Sequence, residues 1–383
     1  MPITITLTDL SRKEACREDF RSHTVRVFSH SGVHPTEAAL LAHLPPQITG
    51  DVLVSGNRTG VLGLVLAAEN PGAKVTQHVL DIHHVRALSR AFSANGGAGI
   101  QIACTPFMPD AAHVTLAVLQ ATCHDTPAEL VLDQLEDLAA NLPPGAACLA
   151  AYDGKPDWLR KQMKQIFGNV KATPAAAGVS VFSSRTPSSP SGTAANKRDF
   201  SASFSASLQG DAPLQLTTIP GVFAHRRPDE GGLALAEVAA RDLQPGARVL
   251  DMGCGCGLVG LLLARHAAPA ALLCADSHAR AIHCTEMNAK ANAIGGVSTL
   301  LTDEALPQEA FTLFAGNPPY YSDYKIAELF IQAAHRVLAP GGVAFIVAKS
   351  HRWHEAYMLS TFGNAEVIKR RGYGVVKSIR QAD

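Results

Sequence analysis

The residues best suited to chemistry are Asn317-Pro318-Pro319-Tyr320, which follow the apolar run from Ala310 to Gly316. Two successive prolines stop a helix or strand and fix the carbonyls around them. The Asn317 side-chain oxygen and the Pro318 main-chain carbonyl then form a rigid pair of acceptors. Such a pair suits an amino group conjugated to a base, which is a poor nucleophile because its lone pair is delocalised into the ring. Accepting both amino hydrogens localises that lone pair toward an electrophile, which is catalysis by orientation and electrostatics without a metal or a covalent intermediate. Tyr320 offers a face on which an unstacked base can lie. A plain turn followed by an aromatic has the same sequence, so the surrounding elements decide between the two.

Those elements include Val249-Leu250-Asp251-Met252-Gly253-Cys254-Gly255-Cys256-Gly257, which reads as a buried strand ending in a glycine turn before the helix Leu258 to Arg265. Glycines are needed where the backbone turns through positive φ and approaches a ligand too closely for a β-carbon. Asp251 ends the strand, placed to hold the turn and to face the polar end of a ligand. Asp276 ends the next strand, about 20 residues after the glycines, where an acid accepts both ribose hydroxyls of a nucleoside. Ser277 beside it falls in the same site. Asp303, closing Leu300-Leu301-Thr302-Asp303, is placed to accept from an adenine amino group. Any one of these acids reads equally well as a helix N-cap, but three at successive strand ends point to a nucleoside site. A dinucleotide is the competing ligand. The spacing here is GxGxG directly after a strand-end acid, whereas dinucleotide folds use GxGxxG with no acid to repel the pyrophosphate.

The same succession of elements occurs twice. Residues Gly50 to Leu64 can be laid over Ala247 to Leu261, which sets Val54 on Asp251 and Arg58 on Gly255. Downstream, His78-Val79-Leu80-Asp81 matches Leu273-Cys274-Ala275-Asp276 with small shifts, Leu142 to Ala150 echoes Leu338 to Ile346, and Phe167-Gly168-Asn169 echoes Phe362-Gly363-Asn364. Strands alternating with helices at this spacing predict a parallel sheet covered on both faces in each half. The first copy has lost Asp251 and Gly255, and Gln120-Ala121-Thr122-Cys123-His124 stands where Asn-Pro-Pro would be. It is predicted to bind a cofactor poorly, with Arg58 projecting into the cofactor space, and to serve either RNA positioning or structural support of the second half. The Ser/Pro/Ala-rich stretch 183–207 reads as a linker, giving expected domains 1–182 and 208–383.

Composition sets outer bounds. A chain of 383 residues with 47% hydrophobic content can bury two cores. The N-terminus turns charged through Arg12, Lys13 and Glu14, without an apolar signal core, and no run is long enough to span a bilayer. The eight cysteines include no CxxC pair, so reduced thiols, no metal site and a cytoplasmic location are expected. Lys plus Arg and Asp plus Glu balance at 33 each, so any nucleic-acid contact must be local. Candidates are Lys197-Arg198, His225-Arg226-Arg227, Lys349 with His351-Arg352, and Lys369-Arg370-Arg371 with Lys377 and Arg380. Lys155, Arg160, Lys161 and Lys164 near Trp158 form a further basic and aromatic patch on a predicted helix. Each cluster also reads as an ordinary solvated face.

The glycine turn with Asp251, Asp276 and Asp303 resembles class I S-adenosylmethionine-dependent methyltransferases, in which the donor lies across the carboxyl ends of the first four strands. Asn-Pro-Pro-Tyr resembles the amino-methylating signature common to adenine-N6, guanine-N2 and glutamine-N5 methyltransferases. Gly221-Val222-Phe223, with Asp229 and Gly231 before an Ala/Leu helix, is similar to the segment preceding the cofactor turn in bacterial ribosomal RNA guanine-N2 methyltransferases, the ribosomal RNA small subunit methyltransferase C family. That resemblance implies two tandem Rossmann-like α/β class I methyltransferase domains, the N-terminal one degenerate. It implies S-adenosyl-L-methionine held by Asp251, Gly253, Gly255, Gly257, Asp276, Ser277, Asp303 and Asn317, and Asn317, Pro318 and Tyr320 as catalytic residues. The implied substrate is ribosomal RNA or a ribosomal subunit. The chain departs from the family at Tyr320, where members commonly have Phe, and in its longer Ser/Pro-rich connection. Adenine-N6 or protein glutamine-N5 methylation, and a non-catalytic RNA-binding or ribosome-assembly role, are the alternatives.

Overall fold

The structure is a computed structural model that describes residues 19–20, 23–26, 32–56, 59–187, 197–303, 306, 311–319 and 323–382. It divides into two compact units, Met1–Phe200 and Ser201–Asp383. In the first, β1 (Asp19–Phe20) and β2 (His23–Thr24) pair as a short hairpin. The chain continues through α1 (Pro35–His43), β3 (Asp51–Ser55), α2 (Val61–Glu69), β4 (Val75–Val79), α3 (Ile82–Ala94), β5 (Gln101–Cys104), β6 (Val114–Ala121), α4 (Ala128–Asn141), β7 (Ala147–Tyr152), α5 (Pro156–Phe167), β8 (Lys171–Pro174) and β9 (Ser180–Arg185). The second opens with a hairpin of β10 (Ala202–Ala206) and β11 (Leu214–Thr218). It then runs through α6 (Glu230–Ala239), β12 (Arg248–Met252), α7 (Leu258–Ala267), β13 (Ala271–Asp276), α8 (Ala279–Ala291), β14 (Val297–Leu301), β15 (Phe311–Gly316), α9 (Lys325–Val337), β16 (Leu338–Ala348), α10 (Arg352–Phe362), β17 (Glu366–Arg370) and β18 (Tyr373–Ile379).

Each unit is built on one seven-stranded sheet, ordered β5-β4-β3-β6-β7-β9-β8 in the first and β14-β13-β12-β15-β16-β18-β17 in the second. The two orders coincide strand for strand. Five strands run parallel, and the last two join antiparallel at one edge. Successive residues of the central strand serve opposite faces: Val249 packs with Leu263 on one side of the sheet, and Leu250 with Phe314 and Ile331 on the other. This is the doubly wound α/β architecture that the sequence predicts.

The duplication extends to hydrogen bonds. α5 and α10 both end at glycine in the left-handed region, Gly168 and Gly363. The asparagine that follows each bonds in the same way. Asn169 Nδ2 donates to the Phe167 and Arg185 carbonyls at 3.0 and 2.9 Å, and Asn364 Nδ2 to those of Phe362 and Ile379 at 3.0 and 2.8 Å. The strand ladders also fix which residues correspond. Ser55 pairs with His78 and Leu119, while Met252 pairs with Ala275 and Gly316. Val79 therefore stands at the Asp276 position, and Gln120 at that of Asn317. Asp81, which the sequence overlay set on Asp276, is instead the N-cap of α3, accepting from the His83 N–H at 2.8 Å.

Both ends of the stretch 183–207 differ from the expected linker. Ser183–Arg185 complete β9, paired with β7, and Ala202–Ala206 are the strand β10, paired with β11. These strands are short and serine-rich, so their partners specify them more than their own hydrophobicity does. Lys197 is held by Asp133 and Asp137 at 2.9 and 2.6 Å, and Arg198 bonds to Glu136, all on α4. Among the described residues no helix is long and apolar enough to cross a membrane.

Candidate active site

The carboxyl ends of β14, β13, β12 and β15 lie side by side in the second unit, and each delivers one part of a site. Beyond β12 the chain turns through Gly253, Gly255 and Gly257, with φ of 72°, 57° and 83°, a region that residues with a β-carbon rarely occupy. Added β-carbons would also meet neighbours at two of them: Phe330 Cζ at 3.0 Å from Gly253, and Leu261 Cδ1 at 2.9 Å from Gly257. At Gly255 a β-carbon would meet nothing within 4 Å. The middle of the turn therefore borders open space that a ligand can fill. Gly253 and Cys254 donate to the Ala275 carbonyl at 2.8 and 3.1 Å, which ties the turn to the end of β13.

The two strand-end acids bond on either side of Gly257 in sequence, Asp276 to the turn and Asp251 to the first turn of α7. Asp251 is 2% exposed, and its Oδ2 accepts the Gly260 N–H, in the first turn of α7, at 2.8 Å. Burial pushes its carboxyl up to about 7; the Gly260 bond opposes this, and the Asp276 charge adds to it. Asp276 is only partly buried. Its Oδ2 accepts the Gly255 N–H and its Oδ1 the His278 N–H, both at 2.9 Å. A carboxylate has about four acceptor positions, so Asp276 can hold the turn and still accept hydroxyls from a ligand. Ser277, partly buried, joins β13 to α8. Asp303, also partly buried, lies two residues past β14, and the Thr302 N–H donates to the Asp276 carbonyl at 2.9 Å, keeping the two strand ends together.

Beyond β15, Asn317 is partly buried and Pro318 buried. A β-carbon on Gly253 would lie 3.8 Å from the Asn317 carbonyl oxygen, so the glycine turn and the Asn-Pro-Pro loop are neighbours. Asn317 Nδ2 donates to Asp229 Oδ2 at 2.8 Å. The same oxygen accepts the Gly232 N–H at 2.6 Å, making Asp229 the N-cap of α6. With its nitrogen held by an acceptor-only carboxylate, the Asn317 amide has one orientation, and its oxygen points away from Asp229. The third expected catalytic residue, Tyr320, lies outside the described residues, as does Arg58 of the first unit.

Three supporting residues escape a reading of the sequence for motifs. The Asp229 bond spans 88 residues; the sequence marks Asp229 within the family-like segment before the α6 helix but gives no sign of Asn317 as its partner. On α8, Thr285 Oγ1 donates to the Gly255 carbonyl at 3.1 Å, and Asn288 Nδ2 to the Cys256 carbonyl at 2.9 Å. Thr285 and Asn288 are buried and three residues apart on one helical face, and that spacing is the only signal they leave.

The first unit keeps the geometry of this site without its chemistry. Gly56 and Gly60 retain positive φ of 80° and 81°, but Val54 and Val79, both buried, stand where Asp251 and Asp276 do. Gln120 donates its side-chain amide to Thr36 Oγ1 on α1 at 2.9 Å, the counterpart of the Asn317 contact with α6. Thr59 bonds to the fully buried Glu37. These polar groups bond within the first unit, and a hydrocarbon, Val79, stands at the position of Asp276.

Several basic clusters are also neutralised. Arg370 and Arg371 pair with Glu237, Arg371 further with Glu230 at 2.8 Å, and Lys377 with Asp242 at 2.6 Å. Lys349 and Arg352 are exposed and outside these pairs, as are Lys155, Arg160, Lys161 and Lys164 on α5.

Residues 19–112 and 213–377 match the model of the family "Methyltransferase small domain", once in each unit. The chain is 35% identical over 147 residues to Ribosomal RNA small subunit methyltransferase C of Pseudomonas aeruginosa (strain UCBPP-PA14), covering 37% of this chain and 43% of that protein. The matches to the relatives from Pseudomonas entomophila (strain L48) and Pseudoalteromonas translucida (strain TAC 125) span 52% and 54% of those proteins, so the chain spans about half the length of these curated relatives. The protein of the same name from Serratia proteamaculans (strain 568) is 26% identical over 351 residues, 89% of this chain and 94% of that protein. Among solved structures, the T. thermophilus 16S rRNA N2 G1207 methyltransferase (RsmC) in complex with AdoMet and guanosine has the same fold, with a TM-score of 0.74 at 21% identity over 94% of this chain and 95% of that one. With both of its units matched by the family model, the chain belongs to the methyltransferase small domain family.

Proposed function

We propose that this protein methylates the N2 amine of a guanine in ribosomal RNA, using S-adenosyl-L-methionine held at the carboxyl edge of the second sheet. The observation that carries the reading is the Asn317 side chain, whose nitrogen is bound to Asp229 and whose oxygen is thereby free to accept, next to a glycine turn stabilised by Asp251 and Asp276. The donor supplies an electrophilic methyl group on a sulfonium. Asp276 is placed to take the ribose hydroxyls, Ser277 and Asp303 to line the nucleoside end, and the open side of Gly255 to let the ligand approach the backbone. The Asn317 oxygen and the Pro318 carbonyl accept the two hydrogens of the target amine and direct its lone pair outward. Tyr320 is proposed to stack on the base.

Relatives named ribosomal RNA small subunit methyltransferase C, and a structural relative whose complex holds AdoMet and guanosine, favour guanine N2 over the adenine-N6 and glutamine-N5 acceptors. Without the acids of the cofactor site, the first unit is assigned to positioning the RNA. Its exposed α5 cations, beside the partly buried Trp158, are suited to phosphate contact. The proposed place of action is the cytoplasm. Incubating the purified protein with methyl-labelled donor and small ribosomal subunits or their naked RNA tests the reading. Label recovered as N2-methylguanosine supports it; label recovered only as N6-methyladenosine, or on protein, overturns it.

A further inference from the structure

Beside the strand that carries Asn317, the structure places three aromatic rings in a continuous stack. Tyr324 lies on Trp353 with centroids 4.4 Å apart and planes 12° from parallel, and Trp353 lies on Tyr357 at 5.0 Å and 12°. His354, buried, meets the edges of Tyr324 and Trp353 at 5.7 and 5.2 Å. Topology sets where the stack lies. α9 follows β15 and α10 follows β16, so Tyr324 and Trp353 both sit where a helix leaves the carboxyl edge of the sheet, at adjacent strands. Tyr324 closes this arrangement and is 42% exposed. It is held there by an unusual backbone: Asp323 and Tyr324 have φ of 46° and 65°, a left-handed conformation that a bulky side chain rarely adopts.

Exposed cations neighbour the stacked rings in sequence. Lys325 follows Tyr324, Arg352 precedes Trp353, and Lys349 lies just beyond the end of β16. The acids nearest in sequence are the exposed Asp323 and the partly buried Glu328 and Glu355. An exposed aromatic ring with exposed cations adjacent in sequence has the composition of a site for single-stranded nucleic acid, where a base stacks and its phosphates are neutralised. We propose that Tyr324, supported by Trp353 and Tyr357, is a stacking platform for an unpaired RNA nucleotide neighbouring the target base, with Lys325, Lys349 and Arg352 taking its phosphates. The assignment rests on the proposed RNA substrate and adds to it a second nucleotide contact outside the catalytic loop.

The test uses the full chain. Trp353 is one of only two tryptophans, so in a Trp158→Phe background its emission reports on the stack. Titration with a short single-stranded RNA is expected to quench it. Tyr324→Asn removes the ring but suits the left-handed backbone, and is expected to weaken RNA binding and raise KM for RNA about tenfold. Tyr324→Phe keeps the ring and is expected to retain both, with kcat and donor affinity unchanged in either variant. Unchanged KM and quenching in Tyr324→Asn would overturn the platform while leaving the methyltransferase reading intact. Tyr324-dependent quenching in a protein that methylates no RNA would do the reverse. Tyr324-dependent quenching by RNA-free ribosomal proteins but by neither RNA nor subunits would mean that the rings dock on protein, which also overturns the proposal.

Discussion

At the scale of single residues, the candidate site contains hydrogen bonds that leave one side-chain atom available to a ligand. Asn317 is the clearest case, because Asp229 takes its nitrogen and leaves its oxygen. Asn317→Ala is expected to lower kcat by about 100-fold or more while donor affinity stays near that of wild type; parallel loss of both would contradict the assigned role. Asp229→Ala removes the one oxygen that accepts from both the Gly232 N–H and the Asn317 amide. Its expected signature is a fall in kcat of about tenfold, on the order of one lost hydrogen bond, with a loss of about 1 kcal/mol of stability from the vacated N-cap. Asp251 makes a separate prediction through its proton. Its carboxyl is raised by burial to about 7, so the folded state holds that proton more tightly than the unfolded chain does. The resulting stability is fully present below the ordinary carboxylate range and is lost as pH rises through about 7. Asp251→Asn removes the ionisation and should gain about 2 kcal/mol on wild type between about pH 5.5 and pH 8.5 in denaturant unfolding. A constant difference between the two proteins over that range would show that Asp251 does not titrate as described.

At the scale of elements, the sequence shows the features with a short repeat distance and hides those that bridge distant segments. The strand, glycine turn and Ala/Leu helix around Gly253 are contiguous, and their order alone indicates where the chain turns. The Asp276 register was legible to within two residues; what the overlay could not supply is that the ladder sets Val79, not Asp81, at that position. Pairing between strands decides register, and a sequence overlay does not contain it. The strands at Ser183–Arg185 and Ala202–Ala206 were hidden because their composition is that of loops. The links from Asp229 to Asn317 and from Asn288 to the turn were hidden because nothing local announces them. Packing at the turn can be tested at Gly260. Alanine there raises helix propensity, but its β-carbon would lie 3.0 Å from both Asp251 Oδ2 and Cys274 Sγ, two buried groups on neighbouring strands with little room to move. Gly260→Ala is therefore expected to destabilise by about 1–3 kcal/mol, read from the shift in denaturant midpoint; a gain in stability would mean that the α7 packing is looser than described.

At the scale of the whole molecule, one fold appears twice and its chemistry once. Both sheets share strand order, helix-ending glycines and the asparagine clamps at Asn169 and Asn364, features that hold a fold together. The acids of the second unit's turn are missing from the first, where valines stand in their place. Calorimetric titration of the full chain should accordingly find one donor site per molecule. Asp276→Ala should weaken that site by about 10- to 100-fold, the range expected for charge-assisted hydrogen bonds. Two sites of similar affinity would mean that the first unit is not degenerate. With a balanced overall charge, the proposed RNA binding would run through local patches, and its dependence on salt should be correspondingly shallow.

In the proposed reaction, Asn317 directs a methyl group to the amine of a ribosomal guanine. Nucleoside mass spectrometry of ribosomal RNA from cells lacking this protein, with position mapping, tests this most directly when wild type or Asn317→Ala is supplied back. The account predicts that one N2-methylguanosine disappears, returns with the wild-type chain and stays absent with Asn317→Ala. A full complement of N2-methylguanosine in the deleted cells, or its restoration by Asn317→Ala, would contradict it.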